Sequence, residues 1–331
     1  MRADNRSYTS AVTTAGQAFL APVVAGMRRV FCCHKATLSG VLAPNTLAAV
    51  RECVEARAQR IEIDVQFLAD ATPVVFHDDR FDREMDGGGN VATTDPSTAR
   101  GLSYRASGAP LAFLSDVVDT VCGSETVLQV DLKPFRPLSH ARVRSLERTL
   151  APARGLVLLG SQAHWNLRPF ASCGFRLAFD PTLHWRHGDA AFRPGGRPGA
   201  LGRHGLWDDS PLAHEPGVPM GYYIDSRLTD LVSLLPTVTE WMVDISTVRY
   251  LWGRGSALGD LLGRRGIALA AWTVAEDRGE ATSTALEELF AAGVETVITD
   301  VPLQLARRYA GRPPRAREAG GPGHGVDRSQ P

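Results

Sequence analysis

Short apolar runs alternate with amphipathic stretches along most of the 331-residue chain. "RRVFCCHKA" reads as a buried strand, and "PNTLAAVRECVEARA" as a helix opened by an Asn or Thr cap, with Leu47, Val50 and Val54 on its apolar face. "QRIEIDVQF" is a second strand. The pattern then returns as "ETVLQVDL" strand, "SHARVRSLERTLAPA" helix, "GLVLLGS" strand, "WNLRPFASCG" helix and "FRLAF" strand. Towards the C-terminus come "EWMVDI" strand, "VRYLWGRGSALGDLLGRRG" helix, "IALAAWTV" strand, "ATSTALEELFAAG" helix and "ETVITD" strand.

Parallel strands need crossover helices, so eight strands largely separated by helices predict an α/β chain closed into a (β/α)8 TIM barrel. A doubly wound sheet is the alternative, but no Gly-rich dinucleotide or P-loop fingerprint follows any strand. Two stretches break the rhythm: residues 79–120, an insert after strand 2, and a Gly/Pro-rich loop over 180–225 before strand 6. Segments this long are usually functional loops or disordered ones. The expected organisation is an N-terminal arm (1–29), one barrel domain (30–310) and a tail (311–331) too poor in apolar residues to fold.

Composition narrows the partners. Lys plus Arg and Asp plus Glu both count 36, so no global field draws nucleic acid or anionic lipid, and a charged small molecule must be met locally. Five cysteines, odd in number and without CxxC spacing, fit buried fillers in a reducing compartment and a cytoplasmic location. The apolar run "AFLAPVVAGM" is short, broken by Pro22 and without a convincing cleavage site, which leaves secretion as the alternative. No run is long enough for a membrane span.

The candidate chemistry begins at "IEIDVQFLADATPVVFHDD". On an extended strand Glu62 and Asp64 share one face, with Ile61, Ile63 and Val65 on the other. At a sheet edge both carboxylates would sit in water. In a barrel lumen they need a cation between them. His34 ends strand 1, His77 and Asp78 end a short extended segment, and Asp131 and Lys133 end strand 3. Polar residues gathered at the C-terminal ends of barrel strands read as catalytic.

In order and spacing, His34-Lys35-Ala36, "APNTLAAV", "IEIDVQFLADATPVVFHDD", "DLKP", "AWTVAED" and "GVETVITDVP" resemble the glycerophosphodiester phosphodiesterase family, over roughly residues 30–309. The resemblance implies a metal-dependent phosphodiesterase that releases an alcohol and a phosphomonoester. Glu62, Asp64 and Asp131 are hard oxygen donors suited to one Mg²⁺ or Ca²⁺. His34 and His77 supply the acid/base pair, Lys35 and Lys133 meet the phosphate, and Trp272 walls the substrate. Asp78 is a candidate to orient His77, although neighbours on an extended chain point apart. This chain departs from the family in having H-K-A for H-R-G, Ala43-Pro44-Asn45-Thr46 for P-E-N-T, and Asp131-Leu132-Lys133 for E-x-K, so altered substrate preference or reduced activity is expected. The alternatives are a phospholipase-like lyase that stops at a cyclic phosphate, and a non-catalytic binding barrel. The histidines of the long loop, His187, His204 and His214, are too irregularly spaced for a second metal, and a solvated loop that shapes the pocket is expected.

Overall fold

The computed structural model describes residues 23–24, 27–188 and 199–309. Five residues of the arm fall within that range, and the expected tail lies outside it. The eight strands are β1 (Val30–Cys33), β2 (Arg60–Phe67), β3 (Val127–Leu132), β4 (Val157–Ser161), β5 (Arg176–Phe179), β6 (Glu240–Asp244), β7 (Ala268–Val274) and β8 (Thr296–Thr299). Each is parallel to the next, and β8 pairs with β1, so the sheet closes into the expected TIM barrel.

The helices pack outside. Besides a short helix of the insert (Pro96–Arg100), those before β5 are α1 (Leu47–Glu55), α2 (Leu114–Val121), α3 (His140–Leu150) and α4 (His164–Leu167). After β5 come α5 (Met220–Leu234), α6 (Ile245–Trp252), α7 (Leu258–Gly263), α8 (Glu280–Ala291) and α9 (Pro302–Tyr309). Thr46 caps α1 by accepting from the Ala49 amide, and Ser139 does the same for α3 from Arg142. Ile61, Ile63 and Val65 of β2 are buried in the layer between sheet and helices, together with Leu114, Val117, Val118 and Val121 of α2. Burying such a side chain contributes about 1.5–3 kcal/mol.

Three readings need correction. The single helix expected over "VRYLWGRGSALGDLLGRRG" is two, α6 and α7, because the chain turns at Gly255 in a left-handed conformation (φ +79°) that glycine adopts freely. "WNLRPFASCG" forms only the single turn of α4 before Pro169 tightens the chain into a 3₁₀ turn, Arg168–Phe170. The stretch before β6 is not simply solvated. Trp185–Arg186, Trp207–Asp208 and Ala200–Leu201 form a small antiparallel sheet, Trp185 and Leu206 are fully buried, and α5 opens at Met220. Among the cysteines, Cys32, Cys33 and Cys53 are the expected buried fillers, whereas Cys122 is exposed.

A polar floor closes the lumen below an apolar layer of Cys32, Leu158, Ala178, Met242, Ala270 and Ile298. At its centre the buried Arg60 donates to both oxygens of Glu240 (2.9 and 2.6 Å) and, through Nε, to Gln129 Oε1 (2.9 Å). Removing the guanidinium leaves Glu240 buried and unpaired. Arg60→Met should therefore cost about 3–5 kcal/mol in urea unfolding. A double Arg60→Met/Glu240→Met variant should recover much of that loss, and failure to recover any would mean the packing, not the charge pair, sets the cost.

Candidate active site

The alternation of β2 turns Glu62 and Asp64 into the lumen, and parallel pairing places Asp64 directly opposite Asp131 on β3. One oxygen from each of Glu62, Asp64 and Asp131 lies within 4.8 Å of the others. The expected ligand trio is thus assembled in space, at the C-terminal end of the barrel. Lys133 follows Asp131 by two residues and sits on the same side, its Nζ 2.7 Å from Asp64 Oδ1 and 2.6 Å from Asp131 Oδ2. The ammonium thus bridges the two carboxylates across the strand pair.

The loop after β1 approaches from the other side. His34–Ala36 form a 3₁₀ turn in which Lys35 (φ 52°) and Ala36 (φ 55°) are left-handed. This turn aims the Lys35 amide at Glu62 Oε2 (2.8 Å) and brings its Nζ to 3.9 Å from Asp64 Oδ2. Ala36 is fully buried at the bend, where the family has glycine. Asn45 donates to Asp64 Oδ2 (2.7 Å) and accepts from the Asp64 amide (3.2 Å), so it fixes the carboxylate's orientation.

Burial and the charge of Asp64 push the Glu62 carboxyl up to about 7. Burial acts the same way on Asp64, but the charges of Lys133, Lys35 and His77 outweigh it and hold that carboxyl well below the usual range. Burial works against the charge on Lys133, yet Asp131, Asp64 and Glu62 keep it well above the ordinary lysine value. A divalent cation fits this donor set. All the donors are carboxylate oxygens, and the crowding that raises Glu62 is what a cation relieves.

His34 and His77 flank the cluster. His34 Nδ1 is 2.6 Å from Asp300 Oδ1, and its Nε2 is 3.9 Å from Glu62 Oε2. Burial pulls the His34 pKa down, but the hydrogen bond to Asp300 and the charges of Glu62, Asp300 and Asp64 raise it overall. His77 Nδ1 is 2.7 Å from Asp78 Oδ1. The chain bends at His77, so this neighbour can reach it, as an extended chain would not allow. Gln66, the next inward position on β2, holds the bend through the carbonyls of His77 and Asp78. Arg83 of the insert binds Asp78 Oδ2 at 2.9 Å. Trp272 of β7 packs beside the apolar lumen layer, its Nε1 buried without a partner.

On the β4–β5 side, His184 pairs with Asp209 (2.6 Å) and with His164 (3.3 Å), while Arg227 binds both Asp208 and Asp209. His204 stacks on Tyr223 and His187 on Tyr250. Among the described residues these histidines join no metal-ligating group. Sequence reasoning gave no role to Asn45, Gln66 or Asp300, although Asn45 and Asp300 stand in stretches that carried the resemblance.

Residues 36–177 match the model of the glycerophosphoryl diester phosphodiesterase family. The match covers less than half of the chain. The matched segment includes Glu62, Asp64, His77, Asp131 and Lys133, whereas His34, Lys35, Trp272 and Asp300 lie outside it. Over 63 residues the domain is 36% identical to rat glycerophosphodiester phosphodiesterase 1 and 43% identical to the human protein. Each match covers 19% of this chain, and the chain spans only about a fifth (19%) of the length of these curated relatives. The whole barrel superposes on an Oleispira antarctica phosphodiesterase, described in complex with the product sn-glycerol-3-phosphate (TM-score 0.58, 18% identity, 86% of this chain and 97% of that one). It also superposes on a glycerophosphodiester phosphodiesterase from Agrobacterium tumefaciens (TM-score 0.57, 18% identity, 86% and 100%). At that identity the two structures speak for the fold. Among the described residues no helix is long and apolar enough to cross a membrane.

Proposed function

We propose that this protein is a metal-dependent phosphodiesterase that hydrolyses glycerophosphodiesters or a related diester to an alcohol and a phosphomonoester. The observation that carries this reading is the convergence of Glu62, Asp64 and Asp131 within 4.8 Å at the mouth of the barrel, flanked by His34 and His77. The product named for the Oleispira protein points to glycerol 3-phosphate as the phosphomonoester.

In this reading Glu62, Asp64 and Asp131 hold one Mg²⁺ or Ca²⁺, which supplies Lewis-acid stabilisation of phosphoryl charge. Lys133 and Lys35 add positive charge beside the same oxygens as point charges, without the directional fork of arginine. One histidine takes the proton from the attacking hydroxyl, either the neighbouring glycerol hydroxyl or water. The other gives a proton to the departing alkoxide, so the leaving group departs as a neutral alcohol. If the glycerol hydroxyl attacks first, a cyclic phosphate forms, and the pair then opens it by activating water and protonating the ring oxygen that leaves. Asp78 holds His77 by its Nδ1, which leaves Nε2 for proton transfer. Trp272 supports the reading as an apolar wall for the alcohol. The five cysteines, free of disulfides, support a reducing, cytoplasmic setting.

The test is a screen supplemented with Mg²⁺ or Ca²⁺ over glycerophosphodiesters, lysophospholipids and nucleotide diesters, followed by phosphorus NMR. Release of glycerol phosphate supports the reading. A cyclic phosphate as sole end product would move the protein to the lyase class, and ion binding without turnover would make it a binding barrel. The departure at Lys35 gives a further prediction. Lys35→Arg restores a guanidinium fork beside the phosphate and should lower KM about three- to tenfold. An unchanged or higher KM would show that Lys35 does not meet the phosphate.

A further inference from the structure

Strand closure places Asp300 beside His34. The β8–β1 register pairs Thr299 with Cys33, so the next residue of each strand, Asp300 and His34, fall side by side at the C-terminal end of the barrel. Their contact is short, Nδ1 to Oδ1 at 2.6 Å. The backbone work at this bend is done by Thr299, whose hydroxyl accepts from the Val301 amide and donates to the Val274 carbonyl. The Asp300 carboxylate makes its hydrogen bond to His34 and has no other side-chain partner among the described residues. It therefore serves the histidine and not the turn.

We propose that Asp300 is a positioning residue that fixes the tautomer and the ring orientation of His34. A carboxylate only accepts hydrogen bonds, so Nδ1 must carry the proton and Nε2 must hold the exchangeable site. That nitrogen is the one on the Glu62 side, 3.9 Å from Oε2 and hence at the edge of the carboxylate cluster. Without the carboxylate an imidazole is free to rotate about its side-chain bonds and to carry its proton on Nε2, where it can no longer accept one. The proposal rests on the phosphodiesterase reading for its kinetic consequence, but the tautomer itself does not.

The experiment is nitrogen-15 NMR of the histidine side chains in the wild-type protein at a pH above the titration of His34, with Asp300→Ala and Asp300→Asn as variants. The wild-type ring should be protonated on Nδ1. In Asp300→Ala the Nε2-protonated form should become dominant, with kcat on the best diester falling about 10²- to 10⁴-fold, KM within about threefold and the melting temperature nearly unchanged. Asp300→Asn keeps the shape of the side chain, but its amide can donate as well as accept, so it no longer dictates the tautomer and should lose kcat as the alanine variant does. An Nε2-protonated ring in the wild type, or Asp300→Ala with kcat within about threefold of wild type, overturns the proposal. So does an asparagine variant that keeps wild-type kcat. If the wild-type protein turns over no phosphodiester, the proposed activity falls and the wild-type tautomer alone decides the role of Asp300. Because that measurement needs no variant, a misfolded substitution does not rescue the idea.

Discussion

Replacing His77 with alanine should lower kcat for a glycerophosphodiester by about 10²- to 10⁴-fold, the range associated with losing a general acid or base. The side chain is nearly half exposed (42%), and its Nδ1 is taken by Asp78, so little of the barrel's packing depends on it. The variant should unfold at the wild-type denaturant midpoint and still bind its cation. His34→Ala should fall in the same range, and the double variant should be little worse than either single one, because two groups that act in one proton relay do not contribute additively. Wild-type rates from both single variants would remove general acid/base catalysis from the scheme. A loss matched by an equal drop in stability would recast the histidines as structural.

The second large effect concerns the carboxylates. Chelation followed by dialysis should abolish turnover, and Mg²⁺ or Ca²⁺ should restore it. An independent readout is thermal unfolding. An ion held only by the folded chain stabilises it by about 2.7 kcal/mol at a hundredfold excess over Kd, a rise of a few degrees in Tm for a domain of this size. Asp64→Asn should erase that rise. It keeps the shape and the contact with Asn45 but removes the ionised oxygen beside Lys133. A Tm that responds to the cation equally in wild type and Asp64→Asn would place the ion elsewhere.

The legible part of the molecule was the part governed by periodicity. All eight strands stand where apolar runs were read, because a barrel strand is buried on both faces and few other segments look like one. Glu62 and Asp64 could be found because two carboxylates inside such a run have no cheap structural use, and the two-residue spacing alone decides that they share a face. Contacts that depend on how separate loops fall together were not legible. Asp300 reaches His34 only through the β8–β1 register, and Arg83 reaches Asp78 only because the insert folds back over its own apolar cluster of Phe76, Phe81, Met85 and Tyr104. Helix α5 was hidden by its neighbours. Its buried face, Tyr223, Ile224, Leu228 and Leu231, is helical in spacing, but a Gly/Pro-rich stretch runs straight into it and blurs the start. The break between α6 and α7 turns on a positive φ at Gly255, whereas Gly253 within the same stretch continues in helical geometry, and composition does not separate the two.

The bond between His34 and Asp300 joins residues 266 positions apart, at the seam where the last strand meets the first. A ribosome must therefore deliver nearly the whole barrel before this pair can form. A fragment that ends between β3 and β8 carries the acidic trio and His77 but leaves His34 without its partner. Turnover would then report on closure of the barrel itself, and a half-finished or proteolytically shortened chain, however well its first three strands had folded, would hold back from attacking diesters in the cell.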